Sequence, residues 1–321
     1  AHINSTSIKS KELEYMKGEC LGLRAFLHFD VARLFAEDYT RSTSSTRGIP
    51  YSTTFDLNNK ELLTLHKTYE AILADLNEAE TLLANDTVVN VETSPSSDYL
   101  KGRGVLFNKY AVAATKARVY YAMGNYTEAA RYAQQVLDAT SNFKLKKLSS
   151  LDDVKRYPAN GEMIFGLYND KLSSNISEMF LNATSRGNFT EARRDIEDLY
   201  DKSSLSATST DLRLTTYYRE ATAVSSGKTF SFVRFIESTA AVTNSPLKGI
   251  TLIRLPEMYY ILAEANYDTN PTKAVQYLND VRNSRGLEDV NANKTSSKEA
   301  FEKELMRERM REMPGEGQVF Y

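Results

Sequence analysis

Two stretches of this chain are built on the same plan. In one, KYAVAATKARVYYAM runs into GNYTEAARYAQQVLDAT across a tight Gly124-Asn125 turn; in the other, LIRLPEMYYILAEANY is followed by NPTKAVQYLNDVRNSRG. Small and apolar residues recur at three- and four-residue intervals in each half, which makes each stretch a pair of amphipathic helices joined by a short turn. Ala117, Tyr120, Gly124, Tyr126, Ala129 and Val136 in the first, and Ala263, Ala265, Ala274 and Val281 in the second, put small or aromatic side chains where two helices must approach closely. That is the requirement of a tetratricopeptide unit. Asn270 as a cap, Pro271 in the first turn and Gly286 just past the end punctuate the last of these helices.

A tandem array repeats about every 34 residues, whereas Ala129 and Ala274 lie far apart, so the units are dispersed and a plain solenoid is disfavoured. Further helices are predicted from Leu13 to Phe35, where Leu21, Leu23, Phe26, Leu27, Val31, Leu34 and Phe35 recur near helical spacing, and from Leu62 to Leu83. Another is SSKEAFEKELMRERMREM, before Pro314. In it Glu304, Arg307, Glu308 and Arg311 alternate in sign at helical spacing, which reads as a solvated, ion-paired face. Residues 41–59 are rich in Ser, Thr, Gly, Pro and Asn and read as an exposed loop. Residues 142–250 lose the helical period and carry short β-like pieces, EMIFGLY and FSFVRFI. The expectation is a mainly α protein: a single unit over 1–321, with a helical scaffold at 8–140 and 251–313 and a loop-rich insertion at 142–250.

Composition narrows the function. The 40 basic and 42 acidic side chains nearly cancel, so no net field draws the chain to nucleic acid or anionic lipid. Cys20 is the only cysteine, which excludes an internal disulfide and a cysteine-rich metal site; within an amphipathic helix it reads as a small buried side chain. His2, His28 and His66 show no zinc-ligand spacing, and His28 beside Phe29 reads as a packing histidine. No GxSxG, GxxxxGK[ST] or GxGxxG occurs, and the acidic pairs Glu37-Asp38 and Asp152-Asp153 are too close in sequence to straddle a glycosidic bond. No catalytic centre, metal or cofactor is predicted. Tyr supplies 20 residues, Phe 14 and Trp none; the tyrosine ring with its hydroxyl tip suits surfaces that bind polar ligands.

Four segments carry a more specific signal: GLRAFLHFDVARLFA, ARVYYAMGNYTEAARYAQQVL, IRLPEMYYILAEA with YLNDVRNSRG, and ERMREMPGEGQVFY. In order and spacing they resemble the SusD-like (RagB/SusD) family of outer-membrane nutrient-binding lipoproteins of Bacteroidetes. The family's amino-terminal lipidated cysteine and its carboxyl-terminal tail have no counterpart in these residues. The resemblance implies a surface-exposed lipoprotein of the cell outer membrane, anchored by a lipid that this chain does not carry. It would bind an oligosaccharide, act as lid on a SusC-like TonB-dependent transporter, and catalyse nothing. Two loop regions are candidates for the ligand, the first around Tyr39, Arg41, Arg47 and Tyr51, where the family often places contacts, and the second around Tyr200, Asp211, Tyr217, Tyr218 and Arg219. Peptide capture by the same architecture is the alternative, since Trp, the best stacking platform for a sugar, is absent. An intracellular tetratricopeptide scaffold for a protein partner and a helical glycosidase are further rivals.

Overall fold

A computed structural model describes residues 10–86, 99–100, 103–147, 161–169, 171–172, 174–175, 190–202, 211–223, 227–234 and 249–318. Helix α1 (Lys11–Phe35) starts where the Ser10 side chain accepts the Leu13 N–H, and it packs on α2 (Leu65–Leu82), which is capped by Thr64. Gly18 and Gly22 let the neighbours close in. A Cβ on Gly18 would meet Leu83, and one on Gly22 would run into the Phe107 ring. Across the same interface Arg24 holds both oxygens of Asp75 at 2.6 Å.

Helices α3 (Lys109–Ala122) and α4 (Tyr126–Leu137) form the first predicted hairpin, with Gly124 at φ 72° in the turn and Asn125 capping α4. Residues 111–119 of α3 are buried without interruption because α2 and α4 cover it from two sides. Its buried cations are paired: Lys116 reaches Glu80 and the Tyr132 hydroxyl, and Arg118 grips Glu257 with two bonds of 2.5 Å. The second hairpin is α7 (Leu255–Asn266) and α8 (Pro271–Ser284), capped by Asn270 as the sequence predicts, with Gly286 at φ 85° beyond its end. Helix α7 packs on α4, with Ala129, Ala133 and Ala263 fully buried in the surrounding core. Dispersed in sequence, the helix pairs are therefore adjacent in space, with α7 packed on α4.

Several expectations change. Residues 47–64 include a two-stranded ribbon of β1 (Arg47–Pro50) and β2 (Leu62–Thr64), so Leu62 belongs to a strand and not to the helix that follows. On α1, Leu21 and Phe26 are buried but Leu27, Val31, Leu34 and Phe35 are exposed, because the apolar residues occupy two faces and α2 covers one. Cys20 is exposed, not buried; sequence hydrophobicity alone did not reveal which face it occupies. His28 is a packing residue as expected, its Nδ1 against the Arg24 carbonyl and its Nε2 accepting the Ser52 N–H. Asp152-Asp153 lies outside the described residues.

In the 142–250 region, β3 (Met163–Tyr168) pairs antiparallel with β7 (Gly249–Arg254), and β7 runs directly into α7. A second sheet orders β4 (Thr190–Ala192), β6 (Gly227–Phe232) and β5 (Tyr218–Ala223) with β6 in the middle. Helices α5 (Arg193–Leu199) and α6 (Leu212–Tyr217) accompany it, and Ile196, Tyr200, Leu214, Tyr217, Tyr218 and Phe230 make a small core of their own.

The largest correction concerns α9 (Lys298–Glu312). Its charges do not form a solvated face: Glu304, Glu308, Arg311 and Glu312 are all buried. Arg311 pairs with Glu304 and Glu308 within the helix, but the other partners come from distant segments, which spacing along one helix cannot show. Arg213 reaches Glu308 at 2.9 Å and Glu312 at 3.0 Å; Arg285 bonds Glu312 and Glu162; Arg254 bonds Glu162, Glu312 and Glu316; Arg282 and Arg311 share Glu308 at 2.7 Å each. Burial alone would raise the Glu308 carboxyl, but Arg213, Arg311 and Arg282 outweigh it and hold it at about 2. Glu312 is likewise held well below the usual carboxylate range: burial pushes it up, and Arg285 and Arg254 more than reverse that.

A carboxylate with a depressed folded pKa contributes stability that is present above its unfolded value and lost as pH falls. The melting temperature should therefore drop steeply as pH is lowered from about 4.5 toward 2; a flat profile there contradicts the network. Glu312→Gln leaves buried guanidinium groups short of charge and should cost about 3–5 kcal/mol in chemical denaturation, against well under 1 kcal/mol for an exposed pair such as Arg131–Glu128.

Candidate functional site

A cavity of about 460 Å³ opens where the carboxyl end of α1 and the segment after it meet the α3–α4 turn, α7 and the end of α9. Asp38 shapes this segment by accepting the Thr40 N–H, which closes a 3-10 turn over Tyr39–Arg41. Tyr39 is half-buried there, its ring 4.6 Å from Tyr69 and 5.0 Å from His66. Opposite stand Tyr121 and the exposed Tyr126, edge to face at 5.8 Å, on either side of the Gly124 turn. Thr40 lies close to that turn, so close that a Cβ on Gly124 would sit 3.2 Å from its methyl.

The cavity's charges are mostly paired. Arg309 donates to the Tyr121 hydroxyl at 2.8 Å and to Glu264 at 3.1 Å, and Tyr121 donates to the same carboxylate at 2.7 Å. Arg33 pairs with Asp30 and reaches Gln318. Arg118 spends Nε and Nη2 on Glu257 and the Leu252 carbonyl. Its Nη1, buried, has no hydrogen-bond partner among the described residues, and the Tyr260 hydroxyl has none either. Glu37 and Asp38 add negative charge on the α1 side. Among the described residues no group of His, Cys, Asp and Glu could hold a metal ion, and no helix is long and apolar enough to cross a membrane.

The predicted ligand residues fall into different environments. Tyr39 lines the cavity, and Arg41 is exposed close by, 3.9 Å from Asp38. Arg47 is exposed on β1. Tyr51 leans against His28, the rings tilted by 32° with centroids 4.1 Å apart, and donates to Asp75 at 2.5 Å, so it serves the α1–α2 interface. In the second group only Arg219 is exposed. Tyr200 is buried and donates to the Arg311 carbonyl at 2.9 Å, Asp211 holds Arg213 and caps α6, and Tyr217 and Tyr218 pack in the small core.

A model of the SusD family matches residues 200–321, and one described as starch-binding associating with outer membrane matches residues 1–121. The chain belongs to the SusD-like family. A SusD superfamily protein from Bacteroides thetaiotaomicron VPI-5482 superposes with a TM-score of 0.74 at 25% identity, covering 100% of this chain and 70% of that one. A SusD-like carbohydrate binding protein from Bacteroides vulgatus ATCC 8482 gives 0.73 at 19% identity over 99% of this chain and 64% of that one. A SusD superfamily protein from the same organism gives 0.72 at 21%, over 98% and 68%. At these identities the two Bacteroides vulgatus structures attest the shared fold, and the chain spans roughly two thirds of each. No curated protein matches it.

In this SusD-like chain the helices contribute cavity residues that sequence reading assigned to the scaffold: Arg118, Tyr121, Tyr126, Glu257, Tyr260 and Arg309. One signal was available. Arg118 interrupts the small-residue run of α3, where a charge has to be paid for by a partner or a ligand.

Burial pushes Tyr69 up to about 12 and raises Tyr121 and Tyr260 further. A phenol raised in the fold stabilises it fully below its unfolded value of about 10 and loses that contribution as pH climbs through the folded one. A phenolate absorbance titration should show exposed tyrosines ionising first and a late step near or above about 12 that coincides with loss of helical circular dichroism. Complete ionisation near pH 10 with the helices intact contradicts this burial.

Proposed function

We propose that this chain is the capturing part of a surface-exposed outer-membrane lipoprotein that binds oligosaccharides and passes them to a TonB-dependent transporter, without chemical conversion. The observation that carries it is the match of residues 1–121 to the family described as starch-binding associating with outer membrane. A fold relative at 19% identity is described as a carbohydrate binding protein, which agrees. The cavity chemistry supports the same reading. Sugar rings present apolar C–H faces to aromatic side chains and hydroxyls to polar ones, and Tyr39 and Tyr126 stand beside Arg118, Glu37 and Asp38. Arg41 and Arg47, exposed near this mouth or on the adjoining ribbon, are proposed as secondary contacts, and Arg219 as one on the other loop region.

Binding without turnover fits the carboxylates. Both oxygens of Glu257 are held by Arg118, and Glu37 and Asp38 are chain neighbours, so the cavity offers no separated acid and base. Screening on a glycan array followed by calorimetry should find an oligosaccharide that binds and is recovered uncleaved. Peptide binding with no glycan binding would overturn the proposal in favour of peptide capture, and sugar release would overturn the assignment as a binder.

A further inference from the structure

We infer that the cavity is a glycan-end site: it takes the terminal one or two units of a neutral oligosaccharide, not the interior of a chain. This rests on the glycan reading above. The cavity ends against the main core, where Tyr260 is fully buried and Arg118 is 3% exposed, so a chain entering between Tyr39 and Tyr126 meets a closed wall. Its volume of about 460 Å³ is at the small end for a ligand pocket, which suits a compact terminus.

The same wall supplies the recognition. Arg118 Nη1 and the Tyr260 hydroxyl lie sealed just behind this wall with no partner among the described residues, and unpaired buried polar groups are costly until a partner arrives. When the two side chains turn into the cavity, a terminal sugar hydroxyl can accept from Nη1 and donate to the Tyr260 oxygen; a methylated or glycosidically blocked one still accepts but has no proton left for Tyr260. Charge balance points to a neutral unit. Arg33, Arg118 and Arg309 are each matched by Asp30, Glu257 and Glu264, and Asp38 by Arg41 at the rim, so the cavity has no free cationic excess while Glu37 adds a negative charge, which opposes an anionic sugar.

The test is calorimetry of the unmodified chain against neutral gluco-, manno-, galacto- and xylo-oligosaccharides of increasing length, with end-methylated and uronate-ended forms of whichever series binds. Affinity should rise to two units and then stay level, fall roughly tenfold or more on end-methylation, and fall for the uronate form. Tyr126→Ala, at an exposed position, should weaken binding about tenfold with unchanged circular dichroism. Arg118→Lys keeps the charge opposite Glu257 but removes Nη1, and should weaken binding similarly if its melting temperature shows it folded. Affinity that keeps growing with length, or survives end-methylation, overturns the end-site assignment and leaves glycan capture standing. Failure of every glycan to bind overturns both.

Discussion

Buried opposite charges set the terms for this fold. A guanidinium or carboxylate taken out of water is expensive, and the cost is offset only where geometry and further hydrogen bonds are good on all sides. Here Arg254 sits at the joint between β7 and α7, Arg285 at the end of α8, Arg213 on α6, and Glu308 and Glu312 on α9. None of these elements can move alone without stranding a charge in a dry interior. The network therefore prescribes how the strand that follows Glu162 and the α6 helix that bears Arg213 are seated on the other helices, a job that apolar packing, being tolerant of sliding, does less specifically.

Repeat arrays tend to behave as chains of neighbours, each unit stabilised by the next. Helix pairs α1–α2, α3–α4 and α7–α8 follow that pattern through their alanine-rich contacts. The carboxylates of α9 bind that stack to the sheet regions, since Glu312 is held at once by arginines from α6, from the β7–α7 joint and from the end of α8. Modularity is thereby restrained: α9 is bonded to the middle of the sequence and cannot detach as an independent unit.

What the sequence made legible follows the range of the interactions concerned. The hairpins, the Asn270 cap and the Gly124 and Gly286 turns are local, encoded within a few residues, and the structure shows them where spacing puts them. Apart from Arg311 within the helix, the arginines that hold Glu308 and Glu312 lie 26 to 99 residues away, and charge alternation along α9 looks the same whether its partners are solvent or Arg213. The cavity shows the same division. Tyr39 was identifiable from its loop, whereas Arg118 and Tyr126 become neighbours of that loop only through helix stacking. Tyr200 and Tyr217 were drawn to attention by a polar, aromatic stretch of sequence, yet that stretch builds its own small core around them.

The Gly124 turn carries one more consequence. It is the joint of a repeat, but it also touches the segment that bears Tyr39, and it fixes where Tyr126 stands relative to that ring. The aperture of the cavity is thus a property of the repeat's hinge: altering how α3 folds back on α4 would change what size of guest is admitted, with the cavity's own side chains untouched.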